Sequence, residues 1–168
     1  MVNFRRWLKH VFMPPWVWRR AFPQTTLDAI EAAIRASETT HNGEIRFAIE
    51  NTLAASQVWR GMTGRERAIK VFSNLRAWDT EHNSGVLVYL LLADHNIEIV
   101  ADRGIDARVD AVAWESIAQT MEAAFRLGEF ERGALAGIEQ IGALLATHFP
   151  PEGRNPDELA NRPVIIRR

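Results

Sequence analysis

Thr80-Glu-His-Asn-Ser-Gly-Val-Leu-Val-Tyr-Leu-Leu-Leu-Ala-Asp-His-Asn-Ile-Glu-Ile-Val-Ala-Asp-Arg-Gly104 reads as two strands around a tight polar turn. Val86 to Leu92 is a continuous apolar run, short enough to be a strand buried on both faces. Ala93-Asp94-His95-Asn96 suits a hairpin turn, and Ile97 to Ala101 returns as the second strand. In an antiparallel hairpin the start of the first strand lies beside the end of the second. Thr80, Asn83, Ser84 and Asp102 therefore gather at one rim of a sheet.

Working outward, Glu44 to Glu50 alternates, with Ile45, Phe47 and Ile49 on one side, and reads as an earlier strand. A helix capped by Thr25 or Thr26 precedes it, with Leu27, Ile30 and Ile34 inward, and His41-Asn42-Gly43 closes that helix. Residues 51 to 64 read as irregular, and a helix follows from about 65 to 77. Strand, helical crossover and strand imply parallel placement in one sheet with a right-handed connection. Glu44 then joins Thr80, Asn83 and Asp102 at the same rim. Past the loop 102–106, Trp114, Ile117, Met121 and Phe125 mark a third long helix, and this spacing assigns them to the core. A fourth spans about 130 to 148, where Gly133, Gly137 and Gly142 permit close packing on a neighbour. The expected architecture is a three-layer α/β/α sandwich, a small mixed sheet containing a β-hairpin with helices on both faces.

Three segments are expected: a basic aromatic arm over 1–22, the domain over 23–150, and a polar extended tail over 151–168. The arm holds Arg5, Arg6, Lys9, Arg19 and Arg20, no acidic residue, and Trp7, Phe12, Trp16 and Trp18. Its Phe4, Trp7, Leu8, Val11 and Phe12 follow helical spacing up to Pro14-Pro15. Either it docks a membrane surface or protein partner, or its tryptophans pack on the domain.

Net charge is −1 across 168 residues, so the balance gives no sign of nucleic-acid binding. The absence of cysteine excludes disulfides, thiolate metal sites and cysteine catalysis. No apolar stretch approaches the roughly 20 residues of a spanning helix, and the arginine-studded N-terminus is a poor secretory signal. A cytoplasmic location is expected, peripheral to the membrane only if the arm is a membrane-docking one.

The ordered phrases Gly43-Glu44-Ile45-Arg46, Glu66-Arg67-Ala68 to Phe72, Thr80 to Tyr89 and Asp102-Arg103-Gly104-Ile105 resemble the TPM domain family, also described as putative phosphatases. Trp114, Phe125, Gly128-Glu129-Phe130 and His148-Phe149-Pro150 continue the resemblance, which spans about 25 to 150. The chain looks most like the short branch without signal peptide or transmembrane segment. The resemblance implies an α/β/α sandwich and, in some members, a divalent cation near the sheet rim, often calcium. Acid phosphatase activity has been proposed within the family. Longer members carry a fuller acidic motif where this chain has Asp102.

Calcium or magnesium requires hard oxygen ligands, usually with two or more carboxylates. Asp102, Asn83, Thr80 and Glu44 are the candidates. The structural alternative makes Asp102 a helix cap or arginine partner and Asn83 a turn residue. Two functions follow: a binding or accessory domain with a cation at the rim, or a metal-dependent acid phosphatase of unknown substrate. The second would use His82 as acid or base and Arg103 as a phosphate holder. No nucleophile, Asp-x-Asp signature or phosphate-cradling loop is present.

Overall fold

The computed structural model describes residues 3–153 and 157–167, so residues 1–2 of the expected arm and 154–156 and 168 of the expected tail lie outside it. Its strands are β1 (Glu44–Glu50), β2 (Gly85–Leu91), β3 (Asn96–Ala101) and β4 (Val164–Ile166), in the order β3-β2-β1-β4. β1 and β2 are parallel, with Glu44 opposite Gly85, and β2 and β3 form the antiparallel hairpin, with Val86 opposite Ala101. Its turn is a short 3-10 segment, Leu92–Asp94, closed by His95 in the left-handed region at φ 51°. The helices are α1 (Phe4–Phe12), α2 (Val17–Ala21), α3 (Gln24–Glu38), α4 (Ala55–Trp59), α5 (Gly64–Asn74), α6 (Arg103–Asp106), α7 (Ala111–Arg126) and α8 (Phe130–His148).

Strand alternation divides the core into two layers, as the sandwich expectation requires. Ile45, Phe47 and Ile49, with Val86, Val88 and Leu90 of β2, face α3, α7 and α8. Leu87, Tyr89 and Leu91 face the opposite layer of Leu53, Val58, Ala68, Val71 and Phe72. The run 86–92 is thus apolar throughout because both its faces are covered. Trp114, Ile117, Met121 and Phe125 are buried as the helical spacing predicts. A β-carbon at Gly133 would press on Phe125 and Ala124, and one at Gly137 on Met121, so these glycines let α8 lie close against α7.

Three short helices and one strand lack a sequence signal. α2, α4 and α6 span only four or five residues each, too few for a period to show. The C-terminal segment departs from the extended polar tail: Val164, Ile165 and Ile166 pair with Ala48, Ile49 and Glu50. Three β-branched apolar residues suffice to add an edge strand, but they give no alternation to read.

Side chains satisfy several of the sheet's outer amides and carbonyls. On β3, Glu122 Oε1 accepts the Ile97 N–H at 3.0 Å, and Arg65 donates to the Ile99 carbonyl at 2.6 Å. β4 covers β1 only from Ala48 onward, and at Ile45 a side chain again takes the amide. At these positions the backbone groups are withdrawn from further strand pairing.

The arm docks at the hairpin tip. Arg6 pairs with Asp94 through Nε and Nη2, and His10 Nδ1 accepts the Leu53 N–H at 2.8 Å. That bond leaves the proton on Nε2, which donates to Asp94 Oδ1 at 3.0 Å. Burial alone would raise the Asp94 carboxyl, but its bonds to His10 and Arg6 overcome this and hold it at about 2. A depressed carboxylate pKa stabilises the native state above the ordinary value of 3.8, and that contribution disappears as pH falls through 2. In acid unfolding followed by circular dichroism, Asp94→Asn should therefore flatten the loss of stability between these pH values. An unchanged profile would show that the lock does not hold the arm.

Candidate functional site

The structure divides the predicted rim residues between two places. Thr80, Asn83 and Asp102 belong to one knot of backbone beside the β2–β3 edge. Thr80 Oγ1 accepts the Ser84 N–H at 3.0 Å, and Asn83, at φ 51°, accepts the Gly104 N–H on its carbonyl. Asp102 caps α6, its Oδ1 accepting from Arg103 N at 2.8 Å, while its Oδ2 is buried without a partner. Arg103 and His82 are both exposed.

Glu44 lies two strands from Asp102, with Gly85 between them, and backbone fills the gap. A β-carbon on Gly85 would collide with the Ala77 carbonyl, so the α5–β2 connection passes directly over that glycine. Glu44 joins a different set of residues, at the uncovered half of β1.

Two segments reach this half-edge. Glu38, the last residue of α3, extends Oε1 to the Ile45 N–H at 3.0 Å. From the other side, residues 157–161 cross β1 before pairing as β4. Leu159 N–H donates to Glu44 Oε2 at 3.1 Å, and Arg46 Nη1 donates to the Ala160 carbonyl. Asn161 Nδ2 reaches Asp157 Oδ2 at 3.3 Å. Glu38, Glu44 and Asp157 can each place a carboxylate oxygen within 4.8 Å of the others. Glu44 is only 1% exposed, and among the described residues its Oε1 has no hydrogen-bond partner. Asn161 Oδ1 and Arg46 Nε are buried in the same condition.

The electrostatics follow from burial. Desolvation raises Glu38 to about 8 against the lowering effect of the Ile45 N–H, and Glu44 and Asp157 add repulsion. Glu44 is raised to about 7, again chiefly by burial, with the Leu159 and Glu158 amides opposing. Arg46 is lowered by the same desolvation and supported by Glu38. Among the described residues one arginine, Arg46, faces the buried Glu38 and Glu44 and the exposed Asp157, an arrangement that favours protons or an added cation on the two buried carboxyls. Its chemistry is that of a hard, oxygen-only site.

Glu44 is the predicted site residue that the cluster retains; Glu38 and Asp157 are additions. Glu38 had a signal, because it continues the inward series Leu27, Ile30, Ile34 at the next helical step. A carboxylate on that stripe is burial by design. Asp157 had none, since its place depends on the path of the C-terminal segment.

The fold and this edge define an α/β/α sandwich with a four-stranded mixed sheet. The profile of the TPM domain matches residues 20–144, and the chain belongs to the TPM domain family. The NMR structure of the BA42 protein from the psychrophilic bacterium Bizionia argentinensis is 33% identical, with a TM-score of 0.74, covering 84% of this chain and 92% of that one. The N-terminal domain of a protein from P. gingivalis shares the fold at 16% identity and a TM-score of 0.61, covering 77% and 81%. No curated protein matches. Asp157 and the β4 segment lie beyond the family match.

A raised carboxyl pKa fixes the sign of one pH dependence. The native state retains the Glu38 proton between 4.5 and about 8, where the unfolded chain has lost it. Its stabilising contribution is therefore complete below 4.5 and declines as pH rises through 8. With divalent ions chelated, urea unfolding from pH 5 to 9 should show stability falling, and Glu38→Gln should flatten the slope. Parallel profiles for both proteins would exclude a buried, protonated Glu38.

Proposed function

We propose that this TPM domain is a non-catalytic binding or accessory domain whose Glu38, Glu44 and Asp157 hold a divalent cation, calcium or magnesium, at the rim. The observation that carries the reading is Glu44 Oε1, a buried oxygen without a donor among the described residues, inside a three-carboxylate group. Leaving such a group unsatisfied costs about 1–3 kcal/mol, more if it is charged, so the site favours a ligand that replaces protons. The Asp102 loop fits a cation less well, with one carboxylate and one of its two oxygens already used as a cap. Asn161 Oδ1, buried and unpartnered beside Asp157, extends the oxygen supply at the β1 edge. When bound, the ion would neutralise the cluster and tie α3, β1 and the C-terminal segment together.

The acid phosphatase reading draws on a different place. His82 lines a cavity of about 180 Å³ with Asn42, Arg108, His148, Phe149, Pro150 and Glu152. Arg108 is occupied there, donating to the His148 carbonyl at 2.7 Å and lying over the Phe149 ring. Those lining residues offer no serine, threonine or aspartate nucleophile. The binding role is the better supported.

Calorimetric titration of the chelator-treated full chain with calcium, then magnesium, should reveal one saturable site with proton release. Removing one of three carboxylates with Glu44→Gln should weaken binding by at least about tenfold. Asp102→Asn should leave it unchanged. Loss of binding in Asp102→Asn alone would move the site to the loop, and no saturable heat at millimolar cation would end the cation reading.

A further inference from the structure

α1 turns two of its polar residues toward the domain. Arg6 and His10 face the domain and bind Asp94, and His10 is 1% exposed. The apolar Phe4 and Phe12 lie on the outer side, 61% and 72% exposed, with Leu8 half-buried between them. A surface helix of a water-soluble domain normally has the reverse orientation. Beyond Phe12, Asn51 Nδ2 grips the Pro14 carbonyl at 3.0 Å, so the following turn is also held in place. That turn presents Pro14, Pro15 and Trp16, the last 54% exposed.

Not all of the arm's aromatics are displayed. Trp7 and Trp18 are partly buried and pack on the two core layers. The guanidinium groups of Arg19 and Arg167 each lie over the Trp18 ring, 5.4 and 5.6 Å from its centroid. These contacts hold the arm and leave Phe4, Phe12 and Trp16 as an exposed apolar edge. Exposed cations flank that edge: Arg5 and Lys9 on α1, Arg19 and Arg20 on α2. Residues 1–22 carry no acidic side chain, although the whole chain is net −1.

We infer that this edge seats the protein on an anionic membrane surface, with Phe4, Phe12 and Trp16 entering the headgroup–acyl boundary and the four exposed cations meeting lipid phosphates. Charge complementarity selects the occupant. The four exposed cations, Arg20 of which shares a cavity with Glu129 and Glu131, repel the same arm of a second copy and match an anionic lipid layer. Bulky aromatics beside lysine and arginine also suit the amphipathic interface, where rings bury while the charges remain wet. The Arg6/His10–Asp94 lock contributes by orienting the helix before contact, so no ordering of the arm is required on binding. The inference is independent of the cation site, which lies at the other end of β1.

The test is sedimentation of the full chain with vesicles of phosphatidylcholine alone or with about one-third phosphatidylglycerol. Binding should require the anionic lipid and weaken markedly between about 0.05 and 0.5 M salt. Phe12→Ser/Trp16→Ser should reduce partitioning at least about tenfold, because two aromatic insertions are lost. Both sites are exposed, so the melting temperature should not change. Arg5→Glu/Lys9→Glu, at exposed positions outside the contacts that hold the arm, should act similarly without touching the apolar edge. Equal binding to neutral vesicles, or none to either, would overturn the inference. So would a concentration-dependent dimer of the wild type that Phe12→Ser/Trp16→Ser abolishes.

Discussion

The uncovered half of β1 governs the arrangement around it. A sheet edge must have its amides paired or wetted, and β4 reaches only from Ala48 to Glu50. At Ile45 the acceptor is therefore a carboxylate, Glu38 Oε1, delivered from the end of α3. Closing the edge with a side chain buries that carboxylate beside Glu44, and the crossing C-terminal segment brings Asp157 to the same place. The raised acid pKa values and the unpartnered Glu44 oxygen all descend from this one way of finishing a strand. A longer β4 would have covered the amide with backbone and required none of these groups.

The two ends of β1 thus have opposite characters. At Glu44 the chain gathers negative groups that require neutralisation. Past Glu50, the residues that follow hold a positive, aromatic arm by its polar side. Seven residues of strand separate the two, roughly 20 Å at about 3.3 Å per residue. Glu50 itself is buried, bound by Arg67 and by the Tyr89 hydroxyl at 2.6 Å, which pins α5 to the sheet. A bound cation and a seated arm can therefore occupy the domain together without competing for residues.

The layered fold was legible in the sequence because its signals are periodic. The 86–92 run, the alternation in 44–50 and the helical series through Trp114 and Phe125 each reflect a covered face. Glu44 was legible as a rim residue for the same reason. Its partners were not, because Asp157 is placed by a segment whose path is set by three residues of edge pairing. Topology correctly brought the starts of β1 and β2 together, but not the backbone that lies over Gly85 and parts Glu44 from Asp102. The arm shows a further limit. Spacing located an amphipathic helix, while its orientation depends on Asp94, more than eighty residues away.

Side-chain carboxyl NMR of Glu38 and Glu44 across pH, with divalent ions first chelated and then with calcium or magnesium added, tests the central claim most directly. The account predicts that the two resonances titrate near 8 and 7 without cation and that both midpoints fall when the ion binds. Two ordinary carboxylates, titrating near 4.5 and indifferent to cation, would contradict it.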